Sequence, residues 1–202
     1  MRRLIPIFGC IIVLACSVAL ADIAGTDHDF STEGWSNGEI CITCHTPHNA
    51  DTSVVDSPLW NHEVTTAVFS LYSSSTLDAT DIGQPDGASK LCLSCHDGTV
   101  AIDSYGGATG TNFITGSTLV GTDLGDDHPI SFTYNDALAT SDGELFTPST
   151  DPSGLGSTID NDLLFSGKMQ CASCHDVHGT GFDSLLVKSN AASALCMTCH
   201  DK

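Results

Sequence analysis

The chain has 202 residues, with 25 acidic against 6 basic side chains and a formal net charge of −19. That balance rules against nucleic acid as a partner, because phosphate contacts need clustered Lys and Arg. It favours solubility, or docking with basic or metal-bearing partners.

In chain order, Met1-Arg2-Arg3 is a short basic region, residues 4–20 are apolar, and Ala19-Leu20-Ala21 is a small-residue cleavage site. Residues 1–21 read as a secretory signal peptide. Cleavage after Ala21 leaves 22–202 as a single domain, with Lys90, Lys168, Lys188 and Lys202 against the same 25 acids, a net charge of −21. An uncleaved anchor is disfavoured by Pro6 and by an apolar run short of the roughly 20 residues a span needs. Val13-Leu14-Ala15-Cys16 is an alternative lipoprotein signal, with an unusual Leu in its middle. Beyond the signal, residues 64–72 are apolar enough for a strand or a helix, and periodicity does not choose between them. Residues 86–91 read as a short helix leading into Cys92. Residues 106–164, rich in Gly, Thr, Ser and Asp, read as loops with short strands at 111–115 and 129–134. Ser189 or Asn190 is placed to cap a helix over 191–195.

Ten cysteines are present, and Cys10 and Cys16 fall inside the signal. The other eight form four copies of one pattern: Cys41 and Cys44 before His45, Cys92 and Cys95 before His96, Cys171 and Cys174 before His175, Cys196 and Cys199 before His200. C-x-x-C-H is the attachment sequence of a c-type haem. Two thiols two residues apart sit on one turn of chain and bond the two vinyl groups of one porphyrin, and the adjacent His lies under the iron. Paired C-x-x-C knuckles also build zinc sites, but a zinc knuckle has no reason to place His directly after the second Cys four times. No cysteine is left for disulfides, so covalent haems are the expected staple of this exported chain.

The copies form a repeat. The first and third continue to a second histidine three residues on, His48 and His178. The second and fourth share Leu before and Asp after: Leu91 and Asp97, Leu195 and Asp201. Aromatic and aliphatic residues are too sparse for an ordinary core, and four porphyrins are expected to replace it. The expected fold is therefore a mostly irregular, haem-cored multihaem cytochrome c, with short helices around the motifs and a few short β-strands.

Nine histidines are present, and four are proximal. The other five, His28, His48, His62, His128 and His178, exceed the four distal ligands needed. Methionine is a poor alternative: Met1 is lost, Met197 is trapped in the fourth motif, and Met169 sits two residues before Cys171. Bis-His ligation follows by elimination and confines the irons to electron transfer at low potential. His48 and His178 lie too close to their own proximal histidine to reach round the same porphyrin, so they are expected to serve a neighbouring haem. His28, on a segment free to leave the body, is a candidate ligand for the next subunit, and head-to-tail donation gives a filament.

The chain resembles multihaem c-type cytochromes with the doubled C-x-x-C-H arrangement, and more closely the tetrahaem extracellular cytochromes that polymerise into nanowires, the OmcE type of metal-reducing bacteria. The resemblance rests on His28-Asp29-Phe30, residues 41–49, Pro58-Leu59-Trp60-Asn61-His62, residues 90–98, Asp127-His128-Pro129, residues 171–179 and 195–200. It implies a continuous stack of four bis-His haems, one completed by an adjacent subunit, little secondary structure, and long-range electron transport outside the cell. The expected function is electron transfer without catalysis, to redox partner proteins or extracellular acceptors. The alternatives are a soluble periplasmic shuttle, a multihaem reductase with one open haem, and a quinol-oxidising membrane cytochrome.

Overall fold

A computed structural model describes residues 23–179 and 181–202. The expected signal peptide, its cleavage site, Cys10 and Cys16 lie outside the described residues. Among the described residues most of the chain is irregular, crossed by four short α-helices, five 3₁₀ turns and one two-stranded sheet. Among the described residues no helix is long and apolar enough to cross a membrane.

Helix α1, Gly87–His96, runs into and through the second motif. Its apolar residues divide between two clusters. Leu91 packs with Val54 and Trp60, and Leu93, 2% exposed, packs with Phe69 and Leu124. Asp86 stands at the N-cap without capping, because its carboxylate is taken by Gln170 Nε2 at 2.9 Å and by Lys168 Nζ. Past the C-terminus the chain turns at Gly98, in the left-handed region at φ +74°, where a Cβ would stand 2.6 Å from Leu119 Cδ1. The positive φ favours glycine there.

The segment expected to hold loops and strands, 106–164, is more helical than that. Helix α2, Asp136–Asp142, is capped by the Asn135 side chain accepting from Leu138 N at 2.9 Å, and stops at Gly143 in the left-handed conformation. Helix α3, Ile159–Leu163, starts at Thr158, whose side chain accepts from Asn161 N. Strand β1, Phe132–Thr133, falls within the expected 129–134 and pairs antiparallel with β2, Lys168–Met169, placing Phe132 opposite Met169. These elements enclose the largest apolar cluster: Phe132, Tyr134, Ala139, Ile159, Leu163, Leu164 and Met169. Segment 111–115 forms no strand, because the Asp103 carboxylate takes the N–H groups of Thr111 and Asn112 at 2.9 and 2.8 Å that a neighbouring strand would otherwise receive.

Residues 64–72 are extended, not helical. Gln84 donates to Phe69 O at 3.0 Å and accepts from Phe69 N at 2.8 Å, and Ser70 bonds the 122–124 backbone, its N–H donating to Thr122 O and its carbonyl accepting from Leu124 N, both at 2.9 Å. The helix expected over 191–195 is reduced to a 3₁₀ turn at Ala191–Ser193, broken by Ala192 at φ +53°. Asn190 does not cap it; its side chain reaches forward to Leu195 N at 3.1 Å. Helix α4 therefore spans only Cys196–Cys199.

Candidate haem-binding sites

Each C-x-x-C-H is one turn of helix or a helix end. The N–H of His45 reaches Cys41 O at 2.9 Å, that of His175 reaches Cys171 O at 3.1 Å, and that of His200 reaches Cys196 O at 3.0 Å; the second motif ends α1. Both thiols and the imidazole of each motif thus issue from a single turn.

The chain returns to brace three of the four proximal histidines, His45, His96 and His175. After the first motif, residues 58–61 come back beside it, with Thr46 N donating to Leu59 O at 2.9 Å and Asn61 N to Cys44 O at 3.0 Å. After the third, residues 184–187 repeat the arrangement, with Asp176 N donating to Leu185 O at 2.7 Å and Val187 N to Cys174 O at 2.9 Å. In both places the imidazole Nδ1 meets a carbonyl: His45 to Pro58 O at 2.6 Å, His175 to Ser184 O at 2.8 Å. His96 does the same with Thr118 O at 2.8 Å. A carbonyl only accepts, so these rings carry their proton on Nδ1 and leave the Nε2 lone pair for a metal. The bracing carbonyls of Pro58, Thr118 and Ser184 were not evident in the sequence. Their one local signature is backbone: Leu59 and Ser184 hold φ of +54° and +57°, which non-glycine residues adopt at a cost where the surrounding structure demands it.

The distal candidates divide into two groups. Three stand against a proximal ring. His178 stacks on His45, with ring centres 6.1 Å apart and planes 15° apart. His28 lies 6.0 Å from His96, and His128 lies 6.3 Å from His200. Two imidazole nitrogens bound to one metal at about 2.0 Å, each with its ring centre about 1.2 Å behind, set the centres about 6.4 Å apart. The three spacings fit that requirement. His28 fits in a second way: its Nδ1 is buried with no hydrogen-bond partner, so hydrogen bonding does not account for the ring's position. Burial, then the adjacent His96, holds its pKa below the ordinary value and keeps the nitrogen lone pair available. For His200, burial followed by His128 lowers it likewise.

His48 and His62 belong to none of these pairs. Both line a cavity of about 550 Å³ walled by Trp60 and the 104–109 turn. His62 is 2% exposed, with Nδ1 2.8 Å from Glu63 O and Nε2 2.9 Å from Ala101 O. His48 is exposed. His175 is also exposed, and among the described residues no other aromatic or imidazole ring faces it.

The ligand arrangement separates this chemistry from zinc binding. Zinc needs about four converging N or S ligands, and among the described residues no group of three or more His, Cys, Asp or Glu converges on a point. Burial pushes Cys44 up to about 11 and Cys95 and Cys199 up to about 12, and raises Cys174 as well. Cys171 departs, lowered by the hydrogen bond it shares with Cys92. That contact joins the second motif to the third.

A polar node fixes the same junction. Ser89, fully buried, donates its N–H to Gln170 Oε1 at 3.1 Å and its hydroxyl accepts from Cys171 N at 2.9 Å. A second node ties 64–70 to α1: Asp97, 4% exposed, accepts from Thr65 Oγ1 at 2.5 Å and from Thr99 N at 2.7 Å. Asp201, its counterpart in the fourth motif, is exposed and carries no such node.

Over residues 165–202 the chain matches the family model described as the doubled CXXCH motif. No curated protein matches it. The doubled motif supports a multihaem c-type cytochrome. Its matched span holds the third and fourth motifs with His178, and the first two motifs repeat the same plan outside it. The chain thus binds c-type haem through its cysteine pairs and transfers electrons. When bound, haem supplies an iron that cycles between two oxidation states. The thiols would anchor the porphyrin, and the bracing carbonyls would orient the imidazoles of His45, His96 and His175.

Proposed function

We propose that the chain carries electrons over long distances outside the cell, through four covalent haems with two imidazoles on every iron, and that copies join head to tail in a filament. The carrying observation is the division of the histidines. Three pairs, His45 with His178, His96 with His28 and His200 with His128, close within one chain at ring spacings of 6.0–6.3 Å. The fourth proximal histidine, His175, and one spare, His48, are both exposed. Donation of His48 to the His175 site of the next copy completes the set. His62 is then the spare, buried with its ring nitrogens beside the carbonyls of Glu63 and Ala101. His28 is engaged with His96 in its own chain, so it is not the donated ligand in this reading. The donor and acceptor sites differ, and such a contact propagates rather than closes.

The export signal and the strongly acidic surface favour an extracellular carrier without catalysis. Size exclusion and negative-stain microscopy of the secreted protein test the polymer. Filaments are expected, and His48→Ala should yield monomers that keep three low-spin haems. A monodisperse wild-type monomer of about the chain mass would leave the soluble periplasmic shuttle, which shares every haem residue. His175, with no partner ring among the described residues, also favours one second reading, an open haem of a multihaem reductase. A high-spin signal persisting in the assembled protein would select it.

A further inference from the structure

The segment ahead of the first motif is held in an unusual way. Among the described residues, every backbone–backbone hydrogen bond made by 23–39 stays within the segment, as Asp29 N to Thr26 O at 3.0 Å and Ser36 N to Glu33 O at 3.1 Å do. Its side-chain hydrogen bonds are local too, including Ser31 Oγ to Asp29 Oδ1 at 2.5 Å. One hydrogen bond reaches the body: Tyr105 Oη donates to Trp35 O at 2.7 Å. Around it runs a row of rings, with centres 6.1 Å apart from Tyr105 to Trp35, 5.4 Å from Trp35 to Phe30, and 6.3 Å from Phe30 to His28. All are tilted pairs within the favourable range for aromatic contacts. Tyr105 is the fixed end. Its neighbours are bonded into the body, with Glu63 N donating to Ser104 O at 2.8 Å and Gly106 N to Asn61 O at 3.1 Å. At the other end, Asn37 and Gly38, at φ +56° and +81°, both take left-handed backbone between the segment and Cys41.

An N-terminal segment without tertiary backbone bonds is ordered only as far as something ties it down. We propose that Tyr105 and Trp35 are positioning residues: they latch segment 23–36 to the body so that His28 faces His96. The inference rests on the reading of His28 and His96 as the two axial ligands of the haem on Cys92 and Cys95. It adds that the occupancy of His28 is set some distance from the iron, by an aromatic contact between the N-terminal segment and the 104–106 turn.

The test uses the haem-loaded protein. High-spin ferric haem is measured by paramagnetic resonance and optical spectra, carbon monoxide uptake is measured in the reduced protein, and limited proteolysis is followed within 23–40. Four variants are compared: His28→Ala, Trp35→Ala, Trp35→Phe and Tyr105→Phe. His28→Ala should turn one haem in four high-spin. Trp35→Ala should give a partial conversion of the same haem, at least twofold faster cleavage of the segment, and a return to low spin on adding imidazole. Trp35→Phe, which keeps a ring, should recover the wild-type spectrum, and Tyr105→Phe should fall between the two. A low-spin His28→Ala protein would overturn the ligand pairing itself. A high-spin His28→Ala protein beside wild-type spectra in Trp35→Ala and Tyr105→Phe would overturn the latch alone. If Trp35→Ala fails to accumulate, Tyr105→Phe decides.

Discussion

His178→Ala is the sharpest probe of how the two halves of the chain are joined. His178 follows the third motif but stacks on His45 of the first, at 6.1 Å and 15°. Its own contribution to folding is small. The side chain is 51% exposed and its one ion pair, with Asp176 at 3.3 Å, is exposed as well; such a pair is worth about 0–1 kcal/mol. Truncation should therefore leave fold and haem content intact, so a spectral change reports ligation. With four attachment motifs, about one iron in four should become high-spin, and the reduced protein should bind about one carbon monoxide per chain. Loss of an axial imidazole should also raise that haem's potential. The spectra carry a positional test. Removing the first attachment site by Cys41→Ser with Cys44→Ser should abolish the new high-spin signal, whereas Cys171→Ser with Cys174→Ser should leave it. A His178→Ala protein that stays fully low-spin, or whose signal vanishes with the third site instead of the first, refutes the pairing.

Three further outcomes follow from the packing and polar nodes. Ile159→Ala, at a position with 0% exposure in the largest cluster, should cost about 2–5 kcal/mol, visible as a lowered thermal midpoint with an unchanged haem spectrum; a loss well under 1 kcal/mol would mean that this cluster is not a true core. Gln170→Leu should cost about 1–3 kcal/mol by stranding the buried Ser89 N–H, and chemical denaturation measures it. Asp81 accepts from Thr133 Oγ1 at 2.6 Å, and this hydrogen bond holds its carboxyl below the ordinary 3.8. Its contribution is complete above that pH and is lost as pH falls through the lowered folded value. Asp81→Asn should therefore flatten the acid limb of a stability–pH curve below pH 4, and an unchanged limb would remove Asp81 from the account.

The attachment sites and their doubling were legible in the sequence, because C-x-x-C-H is a local device: one turn of chain presents two thiols and an imidazole whatever surrounds it. The mostly irregular fold followed from the same residues, since a chain with so few large apolar side chains cannot build long amphipathic elements. What surrounds the motifs was legible only in part. The strand at 129–134 was expected, but helices α2 and α3 were not, because a Gly-, Thr- and Asp-rich segment reads as loop until Ile159 and Leu163 are seen packed on Phe132 and Met169. Residues 64–72 were undecided because their partners, the Gln84 side chain and the 122–124 backbone, are distant in sequence and form no regular strand. Tertiary structure alone decided which histidine faces which. His178 and His45 are far apart in sequence, and no local rule of spacing brings them together. An attachment motif is written in five consecutive residues, whereas a second ligand is a contact across the fold, created by packing that composition and spacing do not encode.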